Sequence, residues 1–132
     1  MNPHDERGSI TAFVAVVATA LVLVAGMAYD GGQVIRAHNA ARNDAERAAR
    51  AGAQQIDLNY LRATNEPRLD PAAAEAAAAE YLERAGVRGT ATVSDASITV
   101  TVTSVQPMLI LPAADRTIVV RETATAVDEA QP

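Results

Sequence analysis

Cysteine, tryptophan and lysine are absent from this 132-residue chain, and phenylalanine occurs once. Without thiols there is no disulfide, no thiolate nucleophile and no cysteine-ligated metal site. The two histidines, His4 and His38, stand too far apart in sequence to read as a metal site, so no metal and no cofactor is expected. Aromatics make up only 3% of residues although 49% are hydrophobic, so the apolar material is Ala, Val, Leu and Ile. That limits the depth of any core, because a Phe or Trp would bury roughly 150 to 250 Å² and Ala buries little. All 11 bases are arginine, against 16 acids, for a net charge of -5. Scattered arginine on an acidic chain lacks the basic footprint of a nucleic-acid binder, and no nucleic-acid partner is expected. The length suits one small domain. A mean hydropathy of +0.03 is therefore an average over unlike parts.

The hydrophobicity is concentrated near the front. Residues 10–29, ITAFVAVVATALVLVAGMAY, carry no charge. A helix of about 20 residues spans about 30 Å, the thickness of a bilayer core. Arg7 and Asp30 bracket the stretch and would lie at the two interfaces. The segment reads as a transmembrane helix. The competing reading is a cleaved signal peptide ending near Gly26, Met27 and Ala28. Against it stand a weakly charged leader and an apolar stretch longer than the roughly 7 to 15 residues of a typical signal core. Counting arginines gives Arg7 before the segment and Arg36, Arg42 and Arg47 after it, which taken alone would leave the C-terminal part in the cytoplasm. Thr11, Ala15 and Thr19 share one helix face at the small-xxx-small spacing that permits close helix approach in lipid. That face is either a self-association surface or ordinary filler of a membrane span.

Gly31 and Gly32 follow Asp30, and two successive glycines cost roughly 2 kcal/mol of helix propensity relative to alanine. A kink or local melting is expected there. Helix then resumes over residues 33–60, with small or apolar residues at Val34, Ala37, Ala41, Ala45, Ala48, Gly52 and Ile56 in steps of three and four. Arg36, Arg42, Glu46, Arg47 and Arg50 occupy the opposite side. Such an Ala and Gly stripe buries little area but allows close backbone approach. It reads as the inner face of the domain's own helix, with a partner-binding face as the alternative.

The stretches RGSITAFVAVV and AYDGGQVIRAHNAARNDAERAARAGA, together covering roughly residues 7 to 55, resemble the N-terminal module of TadE/TadG-like proteins of Tad (Flp) pilus systems. In that family an Arg-Gly pair precedes an apolar helix, Asp and Gly sit just past its end, and an Ala-rich stretch closes on Ala-Gly-Ala. Arg7 and Gly8, Asp30 and Gly32, Asn43 and Asp44, and Ala51, Gly52 and Ala53 hold those places here. The resemblance implies an inner-membrane protein with a short cytoplasmic N-terminus and the remaining domain outside. It implies a minor-pilin-like or assembly role among other pilus or secretion-system proteins. That topology opposes the arginine count and is preferred, since the family module includes the same arginine-bearing stalk. Pilin-like members carry Glu five residues after the processed Gly, whereas Phe13 stands there in this chain.

Farther along, residues 63–70 form a polar break, and Asp70-Pro71 is a helix start with Asp as N-cap and Pro at the first helical position. The run AAAEAAAAEYLERAG reads as a second helix closed by Gly86. The period then falls to two. TATVS and SITVTVTSV alternate Thr with Val or Ile around a tight SDAS turn, and RTIVVRETATAV supplies a third strand. Ile98, Val100 and Val102 face one way, as do Ile118 and Val120, and the threonines face the other. The expected fold class is α+β: a long N-terminal transmembrane and stalk helix, a short second helix, and a small three-stranded antiparallel sheet of pilin-like type. The expected division is a cytoplasmic N-terminus at 1–9, a membrane helix at 10–29, a stalk helix at 30–62 and an extracytoplasmic helix and sheet at 63–132. Between the last two strands, Met108, Leu109, Ile110 and Leu111 form an apolar run bounded by Pro107 and Pro112. The run is either an exposed contact patch for a partner or the membrane surface, or an extra strand or plug under the sheet.

No nucleophile, base and orienting group are signalled together, and Gly31-Gly32 lacks the spacing and lysine of a phosphate loop. The chain is expected not to be an enzyme and to have no small-molecule substrate. The leading reading is a membrane-anchored structural or assembly component of a Tad-type pilus or secretion system, with the lipid bilayer and other system proteins as partners. Two alternatives stay open: a membrane-tethered extracytoplasmic binding module unrelated to pili, and a secreted protein released by cleavage.

Overall fold

The computed structural model describes residues 5–110 and 114–126, with side chains from residue 9 onward. Helix α1, Asp5–Ala53, runs for 49 residues. At about 1.5 Å per residue it is roughly 70 Å long. The kink expected at Gly31-Gly32 is not there, since helix continues through both residues. A Cβ built on either glycine would meet nothing within 4 Å, so neither is needed for a close approach. Helical hydrogen bonding on both sides carries the chain across their weak propensity.

The stalk helix ends at Ala53, not near residue 60 or 62 as the helical spacing suggested. Helix α2, Leu58–Thr64, is a separate turn of helix. Asp57 causes the division: its Oδ1 accepts hydrogen bonds from the amides of Asn59 and Tyr60 at 3.0 Å each, which makes it an N-cap. Asn65 closes α2 in the left-handed region at φ 58°. The Asp57 amide donates to the Arg68 carbonyl at 2.8 Å and the Asp70 amide to the Gln55 carbonyl at 2.9 Å, so the chain doubles back on itself here. That reversal buries Leu69 completely, and the Leu69 amide donates to the Asp95 carbonyl at 3.0 Å.

Helix α3, Pro71–Ala85, begins and ends where its residue types predict. Asp70 Oδ1 accepts from the Ala73 amide at 3.1 Å, and Gly86 takes φ 68° to close the last turn. Strands β1 (Arg88–Ser94), β2 (Ser97–Gln106) and β3 (Arg116–Thr125) form one antiparallel sheet in the order β1-β2-β3. The β1 to β2 turn carries Asp95 at φ 50°. Such a conformation is open to Asp because its short side chain tolerates the left-handed region.

Register places Val102 opposite Val120 and Ile98 opposite Ala124, so Ile98, Val100, Val102, Ile118 and Val120 share one buried face. The other face is a threonine lattice, in which the hydroxyls of Thr99 and Thr123 lie 2.9 Å apart. Against the apolar face lie Ala41, Ala45, Ala48, Ala49 and Ala53 of α1, and Ala74, Ala78 and Leu82 of α3. Leu69, Ile98, Val100 and Val102 are the largest fully buried side chains. Each contributes roughly 1.5 to 3 kcal/mol by burial, so these few residues carry much of the head's cohesion. The alanines add little area, but they let the backbones come close enough for the β-branched side chains to fill the space between.

Candidate functional site

Three surfaces of α1 carry the features singled out in the sequence. In residues 10–29 every residue except Gly26 is exposed. Among the described residues, one helix is long and apolar enough to cross a membrane, the stretch Ser9–Ala53 of α1. Thr11, Ala15 and Thr19 all lie on that exposed surface. The Thr19 hydroxyl donates to the Ala15 carbonyl at 2.8 Å, which satisfies it within the helix. A hydroxyl bonded in this way can face hydrocarbon, where an unsatisfied donor would cost several kcal/mol.

Farther along the same helix, Ala41, Ala45, Ala48 and Gly52 are turned into the head. A Cβ on Gly52 would collide with Ile98 Cδ1 and lie 2.9 Å from the Ala74 carbonyl oxygen. At Gly52, α1 thus approaches both α3 and β2 too closely for a side chain. Asp44 is half-buried beside this stripe. At its edge Arg42 Nε lies 3.0 Å from Glu122 Oε1 on β3, tying helix to sheet. Arg50 pairs with Glu46 one turn away at 2.6 Å.

The junction between the two halves is the least anticipated feature. Asp30 is 2% exposed, and its Oδ2 accepts a hydrogen bond from the Ile110 amide at 3.1 Å. One turn earlier, Gly26 is buried, and a Cβ there would stand 2.5 Å from Ile110 Cγ2. At Ile110 the chain leaving β2 therefore meets α1 at the end of its apolar half. Met108 is half-buried and forms no extra strand, while Leu109 is 68% and Ile110 49% exposed. Leu111 lies outside the described residues, as does the side chain of Arg7, while Gly8 is described only as helical backbone. Gly32, next to this junction, is half-buried. Local sequence offers no signal for the pairing of Asp30 with Ile110, which are 80 positions apart. The one hint is a glycine a turn before an acid at the close of an apolar run.

Among the described residues, no three His, Asp or Glu side chains gather as a metal site. What the molecule offers is surface: an exposed apolar helix, a small head, and a loop tying the two together.

These features define a class, an α+β protein led by one long, apolar-fronted helix. Residues 8–55 match the Tad family of Flp pilus-assembly TadE/G-like proteins. The match begins at Gly8, takes in Asp30, Gly32, Asp44 and Gly52, and covers nearly all of α1. The match lies in the N-terminal region, where the residues carry the resemblance, and it supports a Tad/Flp pilus-associated role. No curated protein and no solved structure matches the chain.

Proposed function

We propose that the protein is a single-pass, membrane-anchored structural or assembly component of a Tad/Flp-type pilus or secretion system, of minor-pilin or TadG-like kind. It performs no catalysis and has no small-molecule substrate. The observation that carries the reading is the division of α1: its first half exposes valine, leucine and phenylalanine on all sides, and its second half is the packing spine of a polar-surfaced head. A helix apolar all round belongs in lipid or in a large core, and among the described residues the core leaves this half of α1 exposed. Residues 1–9 then lie on the cytoplasmic side and the head on the outer side of the inner membrane. Function follows from packing and docking alone, through other pilus or secretion-system proteins and contacts between copies of the chain.

A topology and phenotype experiment tests this. Because the native chain has no cysteine, Leu58→Cys on exposed α2 gives one reporter. Spheroplasts carrying it should react with a membrane-impermeant maleimide, and the protein should stay in the membrane pellet through alkaline carbonate. Deleting the gene should deplete sheared surface filaments, with restoration by the intact gene. Labelling only after lysis would reverse the topology, carbonate release would remove the anchor, and undiminished filaments would sink the pilus role.

A further inference from the structure

We infer that the loop at residues 107–110 is a second, shallow membrane contact, with Leu109 and Ile110 entering the outer leaflet beside α1 and Asp30 holding them there. The inference rests on the membrane-spanning reading of α1 and adds to it where the head meets the lipid.

Depth is fixed by contact. Ile110 touches Gly26, and Gly26 lies inside the uncharged stretch, a turn before its end at Tyr29. Whatever medium surrounds α1 at that level also surrounds Ile110. Around the helix there, Leu23, Met27 and Tyr29 are exposed, and Leu109, the residue before Ile110, is itself 68% exposed. In the spanning reading that surface faces acyl chains and the glycerol region, so lipid is the occupant of the loop tip as well.

Backbone chemistry points the same way. Irregular backbone at the edge of hydrocarbon is tolerated only where its polar groups find partners within the protein. The Ile110 amide has one, the Asp30 carboxylate at 3.1 Å. Asp30 stands at the first charged position after the apolar run, where an acid can remain near headgroups and water. Tyr29 adds an interfacial side chain, its hydroxyl oxygen accepting from Gln33 Nε2 at 3.0 Å. Gly26 makes the close approach possible, since a side chain there would push Ile110 off the helix. The pairing also limits how the head can tilt about its long stem, because the loop that follows β2 is held to the helix at Asp30.

The test uses the full-length protein in phosphatidylcholine vesicles, with single cysteines bearing an environment-sensitive fluorophore at Leu109, at Val16 in mid-helix, and at Leu58 on the head. The Leu109 label should emit to the blue and be quenched by lipids spin-labelled high on the acyl chain, and not by aqueous iodide. Quenching of the Leu109 label by iodide, with the Val16 label quenched only by deep spin labels, overturns the loop contact and leaves the anchor standing. A Leu109 label reached by neither quencher means another protein surface covers it, which also overturns the proposal. A Val16 label quenched by iodide overturns the anchor and the loop contact together. Asp30→Ala and Gly26→Leu should each shift the Leu109 label toward water while leaving the Val16 and Leu58 labels unchanged. A Leu109 signal unaffected by both overturns the holding role of Asp30.

Discussion

The two halves of α1 are one unbroken helix, rich in alanine throughout, yet they meet opposite surroundings. In residues 10–29 the large side chains Phe13, Val16, Leu21 and Val22 stand exposed, whereas residues 33–53 bury the small residues Ala41, Ala45, Ala48, Ala49, Gly52 and Ala53. Hydrophobicity alone would have ranked them the other way. What decides is arrangement. The early half has apolar residues all round and therefore no face that could remain in water, while the later half has a narrow stripe backed by Arg36, Arg42, Arg47 and Arg50. A narrow stripe of small residues suits a sheet whose own β-branched side chains project into the gap. A helix greasy on every side suits a continuous apolar medium.

The contrast can be broken at either end. The largest effect is expected from Leu21→Arg, near the middle of the apolar half. An arginine at that depth costs about 2.5 to 3.5 kcal/mol on insertion scales, so the carbonate-resistant membrane fraction should fall sharply while the head unfolds at the wild-type urea concentration. A smaller loss is expected from Gly52→Val in the other half, because its methyl groups would press on Ile98 and the Ala74 carbonyl. Overpacking of this kind costs typically 1 to 3 kcal/mol, about enough to lower the urea midpoint of the head visibly, with membrane retention unchanged. Retention and head stability moving together in both variants would mean that the two halves form one cooperative unit. The smallest effect, about 1 kcal/mol, is expected from Asp70→Ala, which removes the acceptor that caps α3. Circular dichroism during urea unfolding should register it as a modest midpoint shift confined to the head.

Much of this architecture is written locally. The uncharged run, the cap pair Asp70-Pro71 with Gly86, and the alternation of Thr with Val and Ile each act through nearest neighbours, and each appears in the structure as its residue types imply. The end of α1 is not legible in the spacing of residues 33–60, and Asp57 declares itself an N-cap only in the structure. The error at Gly31-Gly32 ran the other way, for local propensity predicted a break that the long helix on either side overrides. The candidate surfaces divide along the same line. The small-residue stripe could be read from spacing. That the apolar face of the sheet covers it follows from the same spacing; that α3 packs there too, with its Ala74 carbonyl against Gly52, does not, because that depends on how distant segments come together.

Sequence by itself determined that the first half of α1 has no side fit for water, and that an acid ends it, because composition and charge belong to each residue wherever the chain goes. It determined also that strands follow helices, through a change of period. Only the tertiary structure decided that Asp30 is buried and that its carboxylate holds the amide of Ile110. That pairing joins residues 80 positions apart, and the distance between them is set by the combined lengths of helix, turn and strand. No local preference encodes such a sum; packing of the whole head against its stem does.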